Sequence, residues 1–366
     1  MHVTQVIPKL HAGGAEIGCL AVAKALIQNG HQASIITSGG QYIDACQKAG
    51  IQTILLPVAS KNPTTLLSNA KKIATLVTEH TMDLIHVRSR APAWSVHHAL
   101  RSSKTPWLAT YHGAYGQQNR LKHIYNRVMT KGKAIIAPSH FMHEHILGYY
   151  PDCLNKLHTI KRGVDLSTFK KEYSSGNILQ FKEQLGLSAE TSLILLPGRF
   201  TELKGHKLAI NAIQILAPTL RQRKIKLLFL GDQSKEQYVQ SLQHLIHKSQ
   251  LDDLVVWMSH THQMPLAYRA SEITLNCSTQ PESFGRTIVE AQASMSLIIA
   301  SKHGGAQENI IHGKTGLLFK PNQADDLAFA IKQALDLKQE DKKNIQQCAQ
   351  QYACQQACET LSLIHI

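Results

Sequence analysis

The feature that most constrains the fold of this 366-residue chain is a repeated alternation of short apolar strands with amphipathic helical segments. Strands that alternate with helices usually pair in parallel, so we predict a parallel sheet covered by helices on both faces. A helical pattern such as Ala15–Gln28 follows the first of six strand candidates in the first half: Val3–Ile7, Ala33–Thr37, Thr53–Leu56, Leu84–Val87, Trp107–Thr110 and Ala134–Ala137.

The second half restarts the same pattern, and the length of the chain also favours two domains. We predict two doubly wound α/β domains, residues 1–167 and 168–366, which join within Gly163–Leu187. The last helix can pack back on the first domain. Six strands are predicted in the second half: Leu193–Leu196, Lys226–Leu230, Val255–Trp257, Ile273–Asn276, Leu297–Ala300 and Gly316–Phe319.

The net charge of +14 is concentrated in the first half. Residues 1–167 carry 18 Lys and Arg against seven Asp and Glu, whereas the remainder carries 21 against 18. Such a field attracts lipid headgroups, an acidic glycan or nucleic acid. Because the cations are dispersed and form no recognised nucleic-acid motif, we predict no nucleic-acid partner.

The seven cysteines include no CxxC pair, which favours a reduced, cytosolic protein without a disulfide framework or zinc site. No apolar run is long enough to span a bilayer, and the first residues are typical of a strand, not of a signal peptide. Membrane contact is therefore expected to be peripheral. Residues 361–366 can be encoded by a transposon-end sequencing adapter, so we interpret them as an assembly artefact, with an ordinary helix end as the alternative.

Two cations follow the first predicted strand of the second half, in the loop Gly198-Arg199-Phe-Thr-Glu-Leu-Lys204-Gly205. An arginine fork and a lysine point charge together suit a diphosphate. The order GxxxxGK[ST] of a Walker loop is absent. A solvated loop is the structural alternative.

Two glutamates eight residues apart flank a predicted helix start in the segment Pro281–Ala291. Glu282 falls in the loop and Glu290 on the helix face below it. Two carboxylates can hold different pairs of sugar hydroxyls. The amides around Phe284 and Gly285 lie at a helix N-terminus, where a phosphate or sugar oxygen is favoured. The upstream cations make two plain surface glutamates the weaker interpretation.

Candidates in the first half also follow strands, where open parallel sheets bind ligands. Gly13 and Gly14 precede a helix and permit close approach of a phosphate, although a plain strand–helix turn fits equally well. His112 follows the fifth strand and can face a cleft. Arg88 and Arg90 follow the fourth strand, where they can bind an anionic acceptor or be solvated cations.

Together these motifs resemble glycosyltransferase family 4, a retaining group with the GT-B fold of two facing Rossmann-like domains around a cleft. The resemblance covers nearly the whole chain. It rests on Gly13-Gly14-Ala-Glu16, Arg162-Gly163-Val-Asp165, the pairs Gly198-Arg199 and Lys204-Gly205, and the spacing of Glu282 and Glu290.

The resemblance implies a role for each candidate. The catalytic group would be His112, Arg199, Lys204 and Glu282, with the two cations neutralising the donor diphosphate. The donor-binding set would be Gly13, Gly14, Arg199, Lys204, Ser259, Glu282, Phe284, Gly285 and Glu290. Glu290 would bind ribose hydroxyls, and the stretch Met258–His262 would border the nucleobase. Arg88, Arg90 and His112 would contact the acceptor.

The expected function is retaining, metal-independent transfer of a hexose from a UDP- or GDP-sugar. No Asp-x-Asp occurs, so we expect no metal and no cofactor beyond the nucleotide-sugar co-substrate. The segments around Arg88–Trp94 and Tyr111–Tyr115 resemble bacterial envelope members of the family. We therefore expect a lipid-linked, lipopolysaccharide-type or otherwise anionic glycan acceptor at an anionic membrane surface, the cytoplasmic face of the inner membrane.

Other interpretations remain open at this point. Another GT-B enzyme, such as a nucleotide-sugar epimerase, a glycogen- or sucrose-type synthase or a transferase with a soluble acceptor, has similar motifs. A nucleic-acid-binding protein is prompted by the isoelectric point of about 9.4. A catalytically inactive scaffold is disfavoured because both motif cations and both motif glutamates are present.

Overall fold

The computed structural model describes residues 1–11, 13–116, 119–259, 261 and 263–363. The chain forms two compact units, unit 1 from Met1 to Lys161 and unit 2 from Arg162 to Ile366. The division lies six residues before the boundary predicted between residues 167 and 168. Among the described residues, no helix has the length and apolar character needed to cross a bilayer.

Unit 1 contains a seven-stranded parallel sheet in the order β3-β2-β1-β4-β5-β6-β7. Its strands are β1 His2–Val6, β2 Gln32–Thr37, β3 Gln52–Leu55, β4 Leu84–Val87, β5 Trp107–Thr110, β6 Ala134–Ala137 and β7 Leu157–Thr159. Its helices are α1 Gly14–Gln28, α2 Ile43–Lys48, α3 Pro63–Glu79, α4 Arg90–Ala99, α5 Arg120–Arg127 and α6 His140–Tyr149.

Unit 2 contains a six-stranded parallel sheet in the order β10-β9-β8-β11-β12-β13. Its strands are β8 Ser192–Pro197, β9 Ile225–Leu230, β10 Val255–Met258, β11 Ile273–Asn276, β12 Leu297–Ser301 and β13 Leu317–Phe319. Its helices are α7 Leu166–Phe169, α8 Ser175–Gln184, α9 His206–Gln222, α10 Glu236–Lys248, α11 Met264–Ala270, α12 Arg286–Ala293, α13 Ala324–Asp336 and α14 Gln339–Leu363.

The burial of β8 shows why its apolar run forms a central parallel strand. Leu193, Ile194, Leu195 and Leu196 are almost fully buried and alternate between two core clusters, one on each face of the sheet. A strand buried on both faces needs apolar residues at every position, because successive side chains point to opposite faces. The predicted α/β class with two doubly wound parallel sheets is confirmed.

Both sheets reverse their strand order at the same place. The reversal lies between β1 and β4 in unit 1 and between β8 and β11 in unit 2. In open parallel sheets, the carboxyl ends of the strands that flank this switch point form the ligand-binding crevice. We therefore expect the loops after these four strands to carry the ligand-binding residues.

The final helix, α14, packs within unit 2, where it contacts α12 and β12. Ala349 and Ala353 are buried, and the side-chain amide of Gln350 donates to the Ala293 carbonyl over 2.8 Å. The expectation that this helix packs back on the first domain stays a prediction. The artefact hypothesis for residues 361–366 falls partly on residues 364–366, which lie outside the described residues.

Candidate active site

The candidate site of unit 2 lies at the switch point, where the loops after β8 and β11 meet. The loop after β8 ends at Gly205, which has a φ of +72°. A Cβ atom at Gly205 would lie 1.9 Å from the carbonyl oxygen of Cys277, the residue after β11. Glycine is therefore required for the two loops to approach this closely.

Lys204 and Glu282 meet across these two loops although they are 78 residues apart in sequence. The Nζ atom of Lys204 lies 2.5 Å from Oε1 of Glu282, and 27% and 19% of the two side chains are exposed. The Ser278 hydroxyl donates to the same carboxylate oxygen. The structure thus joins two predicted site residues in one hydrogen-bonded pair, which their separate motifs did not indicate.

The environment of Glu282 keeps its carboxyl group ionised. Burial opposes ionisation, but the positive charge of Lys204 and the hydrogen bonds from Lys204, Ser278 and Asn276 outweigh it, so the pKa of Glu282 lies below its ordinary value. The ionised group can only accept hydrogen bonds, as a ligand hydroxyl would require.

A turn after β12 fixes the backbone of the Glu282 loop. The Gly305 amide donates to the Glu282 carbonyl over 2.8 Å, and the Asn309 side chain donates to the Phe284 carbonyl over 2.5 Å. Gly304 has a φ of +61°, and a Cβ atom there would lie 2.8 Å from both the amide nitrogen and the carbonyl oxygen of Glu282. This turn was not predicted from the sequence, although its paired glycines after a strand repeat the pattern of Gly13 and Gly14.

Phe284 and Gly285 form the entry to α12. Phe284 is 2% exposed, and Gly285, the residue before the helix, has a φ of +86°. The first amides of a helix have no partner within the helix and carry the positive end of its dipole. The predicted position of these two residues at a helix N-terminus therefore matches the structure.

Glu290 lies on the buried side of α12, with 10% of its side chain exposed. Its Oε1 atom accepts from Nε of Arg286 over 2.9 Å, and its Oε2 atom accepts from the Tyr268 hydroxyl over 2.9 Å. Burial, followed by the charge of Glu290, raises the pKa of Tyr268, so this hydroxyl remains a donor. Arg286 and Tyr268 were both missed, although the four-residue spacing of Arg286 and Glu290 is a recognisable helical pair.

The other two donor-site candidates of unit 2 are exposed. Arg199 follows β8, and Ser259 follows β10. Arg199 forms no ion pair within the part of the chain that the structure describes. Two histidines of the predicted nucleobase stretch, His260 and His262, lie outside the described residues.

The glycine pair of unit 1 lies at the start of α1. Gly14 is the first residue of the helix, and a Cβ atom at Gly13 would lie 2.3 Å from a carboxylate oxygen of Glu16. The Glu16 side chain therefore folds back over Gly13.

The two predicted acceptor arginines pack inside unit 1. Arg88 follows β4, is 5% exposed and donates through Nε to the side-chain oxygen of Gln5 over 2.6 Å. Burial lowers its pKa. Arg90 donates to Asn126 over 2.8 Å and lies 4.1 Å from the ring centroid of Tyr115. The alternative that both are solvated loop cations is wrong for Arg88, because the neighbouring strand β1 supplies a buried polar partner.

His112 directly follows β5 and is half-buried, next to the buried Tyr111. It occupies the predicted position after a strand. The acceptor roles of His112, Arg88 and Arg90 stay predictions.

The arrangement in unit 2 offers a carboxylate, an ammonium group, a second buried carboxylate and helix N-terminal amides. Such a set can bind a ligand that carries both hydroxyls and phosphates. Within the described ranges, no three His, Cys, Asp or Glu side chains form a group that could hold a metal ion.

Two family models account for most of the sequence. Residues 177–352 match the model described as glycosyl transferases group 1, and residues 12–168 match the model of glycosyltransferase family 4. The chain belongs to glycosyltransferase family 4. The predicted family is confirmed, and the two motif sets of this family 4 protein fall one in each matched region.

Known structures agree with this assignment. A glycosyltransferase from Rickettsia africae is 33% identical, with a TM-score of 0.89 over 99% of this chain and 96% of that chain. HepE from Anabaena, solved with UDP-glucose, is 21% identical, with a TM-score of 0.86 over 100% of this chain and 98% of that chain. These likenesses confirm the GT-B fold class.

One curated relative matches over a smaller share of its length. A D-inositol 3-phosphate glycosyltransferase from Pseudarthrobacter chlorophenolicus is 28% identical over 217 residues, which is 58% of this chain. The chain spans about half the length of that relative, 49%.

Proposed function

We propose that this family 4 protein is a retaining hexosyltransferase that uses a nucleoside-diphosphate sugar, either a UDP- or a GDP-sugar. The observation that carries the proposal is the Lys204–Glu282 pair at the switch point of unit 2, with Glu290 held on the adjoining helix. Binding of UDP-glucose by HepE, which has the same fold, supports this donor class.

The donor would lie across the loops of unit 2. Arg199 and Lys204 would neutralise the diphosphate, and Glu282 would accept hydrogen bonds from hydroxyls of the transferred sugar. Glu290 would accept from the ribose, with Ser259 near the nucleobase. The amides at Phe284 and Gly285 would bind a phosphate or sugar oxygen, and those at Gly13 and Gly14 would approach the diphosphate from unit 1.

The chemical step breaks the bond between the anomeric carbon and the diphosphate oxygen. An acceptor hydroxyl forms the new glycosidic bond on the face from which the diphosphate leaves, and its proton passes to an oxygen of the leaving diphosphate. His112 would lie near the sugar. We propose no metal or other cofactor, because Arg199, Lys204 and the α12 dipole would stabilise the negative charge that develops.

The proposed acceptor and location are based on the positive charge of unit 1. Unit 1 carries 17 Lys and Arg against six Asp and Glu, which favours a lipid-linked, lipopolysaccharide-type or other anionic glycan acceptor. The same field favours a peripheral position on the anionic cytoplasmic face of an inner membrane. Arg88, Arg90 and His112 would contact this acceptor.

A panel of UDP-, GDP- and ADP-sugars tests the donor class by thermal denaturation. One UDP- or GDP-sugar should raise the melting temperature in a concentration-dependent way, because a ligand that binds only the folded state stabilises it. Transfer is then measured as release of nucleoside diphosphate that depends on an added envelope-lipid extract. Indifference to every donor would contradict the proposal, and conversion of the donor without any acceptor would favour an epimerase.

A further inference from the structure

One long stretch of unit 1 contains no acidic residue. Between Asp83 and Glu144, positions 84–143 include nine Lys and Arg and no Asp or Glu. Arg88 and Arg90 are engaged inside the unit, as described above. The remaining seven cations of the stretch are exposed or half-buried: Arg101, Lys104, Arg120, Lys122, Arg127, Lys131 and Lys133.

The middle of this stretch presents apolar side chains to solvent on α5. Leu121 is 79% exposed, the largest value for a big apolar side chain among the described residues, and Ile124 is 52% exposed. These two residues are three apart and therefore share one face of the helix. Arg120 and Lys122 flank Leu121 and are also exposed. The helix thus combines apolar side chains and cations on its solvent side.

The opposite side of α5 is firmly anchored. Asn126 is fully buried and accepts a hydrogen bond from Arg90 over 2.8 Å. The indole nitrogen of Trp94 donates to the Tyr125 carbonyl over 3.2 Å. Val128 and Met129, which follow the helix, belong to the core of the unit. The exposure of Leu121 and Ile124 is therefore a property of an anchored helix.

The segment after α6 extends the surface. The Tyr150 hydroxyl donates to the His123 carbonyl over 2.9 Å, and the ring centroids of the two residues are 4.7 Å apart. This segment adds Leu154, which is 56% exposed, next to Tyr149, the last residue of α6, which is 43% exposed. Its exposed acid, Asp152, forms an ion pair with Arg127 over 2.7 Å, which removes an uncompensated negative charge from this region.

An anionic bilayer matches this combination better than other polyanions. Peripheral membrane helices insert apolar side chains at the level of the headgroups, while flanking cations attract anionic lipids. Nucleic acid would be bound by the cations, but binding to its phosphates gives no reason to expose Leu121 and Ile124. Elsewhere, Phe329 is 68% exposed on α13, but that helix begins with Asp325 and Asp326.

We propose that the α5 surface, formed by Leu121, Ile124, Arg120 and Lys122, inserts into the headgroup region of an anionic membrane. The inference rests on the proposed function in that it places an enzyme with a lipid-linked acceptor at the bilayer. It adds the side chains that make the contact.

Vesicle flotation of the full chain tests the surface. Vesicles of phosphatidylcholine and phosphatidylglycerol in equal parts should bind the wild type, and vesicles of phosphatidylcholine alone should bind it weakly. Leu121→Ser/Ile124→Ser should lower partitioning about tenfold or more, and Arg120→Gln/Lys122→Gln should lower it by a similar factor. The matched control, Ile215→Ser/Phe329→Ser, removes two exposed apolar side chains from unit 2 and should partition like the wild type.

Unchanged partitioning of both α5 variants, or equal binding of the wild type to both kinds of vesicle, would overturn the proposal. Each variant must melt at the wild-type temperature, so that lost binding is not caused by unfolding. Donor-induced stabilisation, measured on the same proteins without vesicles, separates the two claims. Loss of flotation in the α5 variants with no donor response in the wild type would uphold the surface and contradict the proposed function.

Discussion

The two units share a strand order but differ in how far their charged side chains form ion pairs. Among the described residues, unit 2 contains eight ion pairs, one of them through His247, whereas unit 1 contains only Arg127–Asp152. Unit 2 has 22 Lys and Arg against 19 Asp and Glu, so its charges can pair. Six acids cannot neutralise the 17 cations of unit 1. Because exposed pairs contribute little to stability, we attribute the difference to what each unit binds.

The contrast extends to the two switch points. In unit 2, a cation after β8 meets a carboxylate after β11, in the Lys204–Glu282 pair. In unit 1, a cation after β4 meets a neutral amide on β1, in the Arg88–Gln5 pair. The same topology thus holds a charge-compensated site in one unit and a buried cation with a neutral partner in the other. This difference suits a pre-formed donor site in unit 2 and an anionic partner for unit 1.

Removal of Lys204, the cation of the unit 2 pair, should have the largest effect on the rate of sugar transfer. Lys204→Met should lower the rate of sugar transfer about 10²- to 10³-fold, as expected for the loss of one group that stabilises a developing anion. The measurement is release of nucleoside diphosphate at saturating donor. Lys207→Met is the matched control, since Lys207 lies three residues away, is half-exposed and contacts Glu202 over 4.0 Å and the Tyr238 ring. Equal losses in both variants would contradict the special position of Lys204.

The buried His206, two residues after Lys204, should make the stability of the protein depend on pH. His206 is fully buried and stacks on Phe200 with ring centroids 4.6 Å apart. Burial lowers its pKa from 6.5 to about 4. Between pH 6.5 and pH 4, the unfolded chain therefore binds a proton that the folded chain does not bind. The contribution of His206 to stability is complete above pH 6.5 and is lost as the pH falls toward 4.

The expected loss is about 2 kcal/mol at pH 5 and approaches about 3 kcal/mol at pH 4. Urea unfolding at pH 7 and pH 5 measures it. His206→Phe, which keeps the aromatic stack, should reduce the difference between the two pH values by that amount. The pKa of Glu282 is lowered from 4.5, and its contribution cancels from this comparison because both proteins contain Glu282. An identical pH dependence in wild type and variant would show that His206 does not titrate in this way.

A smaller effect is expected from the hydroxyl that positions Glu290. Tyr268→Phe removes one of the hydrogen bonds to this carboxylate. The loss should weaken binding of the nucleotide sugar about tenfold, in line with the contribution of a hydrogen bond to a charged group. Tyr238→Phe, the control, removes a buried hydroxyl from a tyrosine that packs on His206. Titration calorimetry measures both. If Tyr268 had only a packing role, the melting temperature would fall while the affinity stayed at the wild-type value.

The smallest effect should come from an exposed ion pair of unit 2. Arg221 donates from Nε and Nη2 to Asp253 over 2.8 Å, and about half of each side chain is exposed. Arg221→Ala should leave the midpoint of urea unfolding close to the wild-type value. Urea unfolding at low and high salt checks this expectation. A clear drop of the midpoint that disappears at high salt would mean that ion pairing stabilises unit 2, contrary to our interpretation of the charge contrast.

The sequence predicted the strands because parallel strands buried on both faces are continuous apolar runs. The exception, β7, has only three residues and includes the exposed His158 at the edge of its sheet. Within the site, local motifs indicated Lys204, Glu282 and Glu290. They could not indicate Tyr268, which lies on α11 and becomes a neighbour of Glu290 only when α11 and α12 pack together.

The same limit applies to burial in unit 1. The sequence predicted the position of Arg88 after a strand. Its partner Gln5 is 83 residues away, so no local pattern indicated that this cation is buried. Arg90 was likewise recognised as a strand-end cation, whereas its contacts with Asn126 and Tyr115 depend on how α5 and the loop after β5 fold over it.

The most direct test of the central claim, that unit 2 is a donor site built around its two glutamates, is calorimetric titration of UDP- and GDP-sugars. The wild type, Glu290→Gln and the control Glu183→Gln, whose exposed side chain lies on α8, are compared. We expect one donor class to bind the wild type and the control alike and to bind Glu290→Gln at least about tenfold more weakly. Equal affinity in all three proteins, or no binding of any donor to the wild type, would contradict it.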